Sequence, residues 1–169
     1  ILFAVTLKDF ENLQFLGVEM YYEFLDNLNL FNKLAREYNL DFLVKPHPSA
    51  NKCFNDLRKT FTNLEFTKKS ISKVLKNVFV TISFSSTVIE DSLHSNIPVI
   101  LWDRWKRYKH CNSEENINKK NSAVYYVNNE NDLVNCLSTI KNSENIYFDD
   151  HIFSSNTKEN INNLINKLI

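Results

Sequence analysis

The chain has 169 residues, with 20 Lys+Arg against 20 Asp+Glu and a formal net charge of zero. Hydrophobic residues make up 43% and charged residues 24%, which excludes a charge-driven disordered chain and lacks the basic surplus of a nucleic-acid or anionic-membrane binder. Glycine occurs once, at Gly17, so every loop built on G-x-G-x-x-G, G-x-x-x-x-G-K-[ST] or G-x-S-x-G is excluded.

Leu2 to Thr6 reads as a buried strand. Val18 to Tyr38 carries Tyr21, Phe24, Leu25, Leu28, Phe31 and Leu34 at helical spacing, and this aromatic-rich stripe reads as core. Asp41 to Lys45 is a second strand, stopped by Pro46 and Pro48. Asn51 to Phe61 reads as a short helix, Leu64 to Phe66 as a minor strand, and Ser70 to Leu75 as a helix capped by Ser70. Val78 to Ile82 is a third strong strand, followed by a helix capped by Ser85 or Ser86 and running to about His94. Pro98 to Trp102 is a fourth strong strand and Asp103 to Ser122 an aperiodic loop, basic at its start. Ala123 to Val127 is a strand and Asn131 to Ile140 a helix. A final amphipathic helix starts at Ser154 or Ser155, with Ile161, Leu164, Ile165 and Leu168 on one side.

Continuous apolar strands alternating with helices predict an α/β fold, a doubly wound Rossmann-like parallel sheet flanked by helices. The expectation is a single such domain over residues 1–169. The three cysteines, Cys53, Cys111 and Cys136, are odd in number and lack C-x-x-C spacing, which argues against a disulfide framework or a zinc knuckle. That usage fits a reducing cytoplasm. No apolar run reaches the roughly 20 residues that span a bilayer. The chain opens on Ile1-Leu2-Phe3 without an initiator Met, and the expectation is a domain cut from a longer two-domain protein.

In a doubly wound sheet, ligands bind outside the carboxyl ends of the strands. Lys45-Pro46-His47-Pro48 follows one strand. Its prolines fix the backbone around His47, which can donate to a phosphate oxygen or can be an incidental histidine in a proline turn. Lys45 could add charge there or lie solvated. Ser83-Phe84-Ser85-Ser86-Thr87 follows another strand and opens a helix. Four hydroxyls in five positions exceed what a cap needs and suit an anion site, although simple capping by Ser85 or Ser86 is the plainer reading. Glu90, one turn further on, can accept from a ribose diol or stand as a solvated glutamate. Trp102 to His110 is dense in cations and aromatics. Asp103 and Arg104 head this loop, which could close over a ligand, bind single strands by stacking, or be a solvated loop packed on the domain. With the charges cancelling and no known module present, no nucleic-acid partner is expected.

Lys45-Pro46-His47-Pro48, then Ser85-Ser86-Thr87-x-x-Glu90, then Asn96-Ile97-Pro98-Val99-Ile100, together resemble the nucleotide-binding half of GT-B glycosyltransferases of bacterial surface-polysaccharide biosynthesis. The similar families are capsule Kdo transferases, sialyltransferases and CDP-glycerol polyol-phosphate transferases. The resemblance covers roughly residues 41–102. It implies a CMP-, CDP- or UDP-linked donor, with His47, Ser85, Ser86 and Thr87 on phosphate and Glu90 on the ribose. It also implies that the acceptor side and general base come from an amino-terminal domain, and that the full protein works in the cytoplasm, with peripheral association at the inner face of the membrane open. UDP-GlcNAc 2-epimerases are similar too, but carry two glycines where this chain has Ser86 and Thr87. Asn96 stands where the family often has glycine, a mild change because Asn tolerates the left-handed conformation. A non-catalytic interaction domain is the third reading. Without an Asp-x-Asp or a His/Cys cluster, no metal and no cofactor is expected.

Overall fold

The computed structural model describes residues 1–5, 15–47, 54–152 and 165–166. Six strands form one sheet: β1 (Leu2–Ala4), β2 (Phe42–Lys45), β3 (Leu64–Phe66), β4 (Thr81–Ser83), β5 (Val99–Trp102) and β6 (Val124–Val127). Their order is β3-β2-β1-β4-β5-β6, and every pairing is parallel. The helices are α1 (Phe15–Tyr38), α2 (Phe54–Thr60), α3 (Ile71–Val74), α4 (Val88–His94) and α5 (Glu130–Lys141). The chain winds outward from β1 to β3, crosses back, and winds outward again from β4 to β6. This is the doubly wound, Rossmann-like α/β arrangement.

Both faces of the sheet are covered, as parallel strands require. On one face Phe3 and Val5 of the β1 segment, Phe42 and Val44, Ile82, Ile100 and Trp102 pack with α1 and α5. On the other, Leu2 packs with Val74, Leu75 and Ile97, while Val99, Leu101 and Val124 pack with Ile89 and Leu93 of α4. The period-2 alternation along each strand produces this division. In α1 the buried residues Phe24, Leu28, Phe31 and Leu34 recur every three or four positions, as the sequence pattern predicts. Phe31 sits at the centre of an aromatic cluster, 4.7 Å from Phe3, 5.1 Å from Phe42 and 6.5 Å from Trp102 between ring centroids.

Asparagine does the work that glycine usually does at left-handed positions. Asn39, Asn96 and Asn121 have φ of 51°, 55° and 69°. At the end of α4, Ile97 N–H donates to Ser92 O (2.9 Å) and Asn96 N–H to Leu93 O (2.9 Å), a Schellman closure around Asn96.

The structure moves several expected boundaries. The strand expected over Val78–Ile82 is Thr81–Ser83. α3 runs on as a 3₁₀ turn, Leu75–Asn77, and Phe79 is 41% exposed, so pairing begins later. The strand then extends into Ser83 because its hydroxyls find partners in the core: Thr81 Oγ1 lies 2.8 Å from Ser92 Oγ, and Ser83 Oγ donates to Ala4 O at 3.0 Å. Ser70 occupies the cap position of α3 without a side-chain cap bond. The residues from Asp103 to Ser122 form an irregular loop, as expected, except that Glu114 bridges to Tyr125 and covers the outer edge of β6. Asn129 caps α5 by accepting from Asp132 N–H at 3.0 Å. Thr6, Pro48, residues 51–53 and most of the expected final helix lie outside the described residues. Residues 165–166 are helical, and Ile165 is exposed.

Removing the Phe31 ring should leave a cavity between α1 and the sheet and cost about 3–5 kcal/mol in Phe31→Ala, read as a lower urea midpoint at unchanged m-value. At Asn96, the change to Gly should be close to neutral, whereas Asn96→Val should cost about 1–2 kcal/mol. Equal stability of the two variants would contradict the left-handed cap.

Candidate functional site

The strand order reverses beside β1, so the connections leaving β1 and β4 diverge and open a crevice at their carboxyl ends. β1 is hydrogen-bonded to β2 on one side and to β4 on the other. Each step is about 4.8 Å, so the ends of β2 and β4 flank the crevice about 10 Å apart. Both segments that the sequence singles out stand at this edge, one at each flank.

On the β2 flank, Val5 N–H donates to Lys45 O at 3.0 Å. Pro46 is buried, and His47 is half-buried and already engaged by a neighbouring group. Lys45 is half-buried. Alternation along β2 puts Phe42 and Val44 on the α1 face and Lys45 on the α4 face. Burial pushes the Lys45 ammonium below its ordinary value, and among the described residues no carboxylate pairs with it.

On the β4 flank, the backbone cap of α4 is Thr87, which makes no side-chain cap bond. The expected cap at Ser85 or Ser86 is therefore corrected. Ser86 holds the preceding turn instead: its Oγ accepts from Val88 N–H (3.3 Å) and its carbonyl from Ile89 N–H (2.9 Å). Ser85 has a different role. Its Oγ lies 3.4 Å from His110 Nδ1, and His110 Nε2 lies 2.8 Å from Glu90 Oε1. Glu90 is 53% and His110 22% exposed at the side chain. Ser85, His110 and Glu90 thus form one hydrogen-bonded line joining the β4 turn, the long loop and α4. Next to His110, the Cys111 thiol is pushed up by burial and, secondly, by the Glu90 charge, which favours its protonated form. Deep burial holds the Cys136 thiol up at about 12.

The loop that brings His110 here is pinned from below. Asp103, at the end of β5, is 1% exposed. Its carboxylate accepts from Arg107 Nε (3.4 Å), Tyr108 N–H (3.2 Å) and Tyr126 O–H (3.1 Å). Asp103 is therefore not presented to a ligand at the edge, contrary to its reading as an edge residue: it organises the loop. Arg107 reaches across to Glu23 of α1 at 2.8 Å and lies over the Phe84 ring, 3.8 Å from its centroid. Phe84 in turn meets Tyr108 edge-on at 4.9 Å. Arg104 points to a different place, pairing with Asp26 of α1 at 3.8 Å. The structure brings Ser85, Ser86, Thr87 and Glu90 together at one flank and Lys45 and His47 at the other, and leaves Asp103 and Arg104 outside.

Sequence reasoning missed His110, Arg107 and Glu23. Only the placement of the basic loop after a strand could have pointed to the first two. Glu23 sits inside the apolar stripe of α1, where burial raises its carboxyl above the ordinary 4.5 despite the opposing pull of Arg107. Among the described residues, no group of three or more His, Cys, Asp or Glu could hold a metal, and no helix is long and apolar enough to cross a membrane. No protein-family model and no curated protein matches the chain.

Because the Glu23 carboxyl is raised in the folded state, this group holds its proton to higher pH in the native protein than in the unfolded chain, above the ordinary 4.5. This contribution to stability is complete below that pH and is lost as pH rises through the folded value. Urea midpoints measured from about pH 4 to 7 should therefore fall less with rising pH in Glu23→Gln than in the parent chain.

Proposed function

We propose that this domain binds the nucleotide of an activated donor, CMP-, CDP- or UDP-linked, as the donor-side half of a transferase in surface-polysaccharide assembly. The observation that carries the reading is the meeting of both sequence segments at the switch-point crevice, with a desolvated lysine on one flank and a hydroxyl cluster with a carboxylate on the other. Lys45 supports it most. Among the described residues no carboxylate pairs with this half-buried ammonium, which favours an anion brought from solution, because the anion restores the charge stabilisation that burial removes.

The division of labour follows from the groups present. Lys45 and His47 offer positive charge and a donor to the phosphates. Ser86 and Thr87 offer hydroxyls on the opposite flank, with Ser85 beside them. Glu90 has Oε1 bonded to His110 and presents Oε2 to a ribose diol. Cations and donors placed around a departing phosphate stabilise the charge that develops as the donor bond breaks. No metal need enter this scheme.

The reading is tested by titrating the folded chain with CMP, CDP and UDP, followed by ligand-detected NMR. Saturable binding of at least one is expected, weakened about tenfold or more by Ser86→Ala and by Glu90→Ala. Lys45→Met should weaken the diphosphates more than CMP. Affinity should also fall as pH rises toward the ordinary lysine value of 10.5, beginning below it, since Lys45 loses its proton early. Failure of all three nucleotides to bind at millimolar concentration would sink the proposal.

A further inference from the structure

Glu90, His110 and Ser85 come from three segments, yet they line up through both nitrogens of one imidazole. The alignment fixes proton positions. A ring that donates from Nε2 to the Glu90 carboxylate is, when neutral, left with its lone pair on Nδ1. Nδ1 then faces the Ser85 hydroxyl as an acceptor. A hydroxyl within reach of a base, with the base oriented by a third group, is the general arrangement of an activated nucleophile, and its bonds are often longer in the absence of substrate than the usual 3.2 Å limit. Such a set is recognised by geometry and roles, not by chain order. The rest of the structure holds the base in place. Asp103 and Arg107 anchor the loop to β6 and α1, so His110 is held from the sheet side and does not depend on Glu90 alone.

We propose that Ser85 is a nucleophile activated by His110 and Glu90, and that the domain cleaves short-chain O-acyl esters carried on polar molecules. The substrate class follows from the setting. The three side chains stand at an open polar edge, with Glu90 53% exposed, which suits a hydrated carrier and, among the described residues, leaves no deep apolar slot to select a long acyl chain. Ser85 Oγ attacks the ester carbonyl carbon, and its proton passes to His110 Nδ1. The carbon–oxygen bond to the carrier breaks, and the departing alkoxide takes that proton from Nδ1. Water, deprotonated by the same nitrogen, then releases the acyl group as a carboxylic acid and restores the serine. Glu90 takes up no proton in these steps and stabilises the imidazolium through its hydrogen bond to Nε2. The N–H of the residue after a serine nucleophile is the common donor to the carbonyl oxygen in such reactions, and Ser86 holds that position. This activity is independent of the nucleotide reading, and its test contains no nucleotide.

The test exposes the folded chain to a fluorophosphonate probe and, separately, to p-nitrophenyl acetate, with folding of each variant checked by circular dichroism. Covalent labelling at Ser85, located by peptide mass spectrometry, is expected. Ser85→Ala should abolish both labelling and ester cleavage. His110→Gln should slow both about 100-fold or more, and Glu90→Gln about tenfold or more, since it disturbs the tautomer without removing the base. Glu90→Asp should retain more activity than Glu90→Gln. An unlabelled Ser85 in the folded parent chain would overturn the proposal, as would labelling at an unchanged rate in folded His110→Gln.

Discussion

Everything in this domain follows from the need to bury a parallel sheet on both sides. A strand such as Val99–Trp102, whose four residues are all buried, leaves no face on which to carry chemistry. Helices cover the rest, so polar function is confined to the ends of the strands. Because the order is β3-β2-β1-β4-β5-β6, one carboxyl edge also holds the gap where the winding reverses. Lys45 with its lowered ammonium and the hydrogen-bonded Ser85–His110–Glu90 line stand at that edge, and Glu23 with its raised carboxyl is tied to the same loop through Arg107.

A second layer lies between the sheet and this edge. Asp103 is continuous with β5 and as buried as the strand before it. A carboxylate in that position must be satisfied from within: the loop folds back on it to provide a guanidinium and a backbone N–H, and Tyr126 of β6 adds its phenol. The Arg107 guanidinium then extends the network to Glu23 and stacks on Phe84. One strand-end aspartate thus sets the path of the loop, and the loop sets the place of His110. Within one segment, Asp103 and Arg107 hold the loop while His110, a few residues on, bonds Ser85 and Glu90.

The fold was largely legible because its signals are local and strong. Runs such as Val99-Ile100-Leu101-Trp102 and the three-and-four spacing of Phe24, Leu28 and Phe31 allow few alternatives. Two kinds of detail were not legible. One is polar residues in the core: Thr81 and Ser83 look like the end of a strand, but Ser92 and the Ala4 carbonyl satisfy them, so β4 lies later than its apolar run suggests. The other is long-range pairing. The sequence places Ser85 and Glu90 one after the other, but nothing in its periodicity places His110 between them. Asp103 and Arg104 drew attention as the first residues past a strand, but the nearest residue to a strand end is also the one most easily drawn inward. The loop comes alongside Ser85 and Glu90 only once it has turned, at His110.

The use of asparagine at left-handed turns has a consequence away from the native structure. Glycine releases a turn from steric strain but gives the unfolded chain many extra backbone states, which folding must then remove. Asn39, Asn96 and Asn121 reach nearly the same native geometry with a narrower unfolded ensemble, a difference worth a few tenths to about 1 kcal/mol at each compatible position. With one glycine in 169 residues, this chain carries much of its turn stability in the restricted wandering of its denatured state, where no native contact records it.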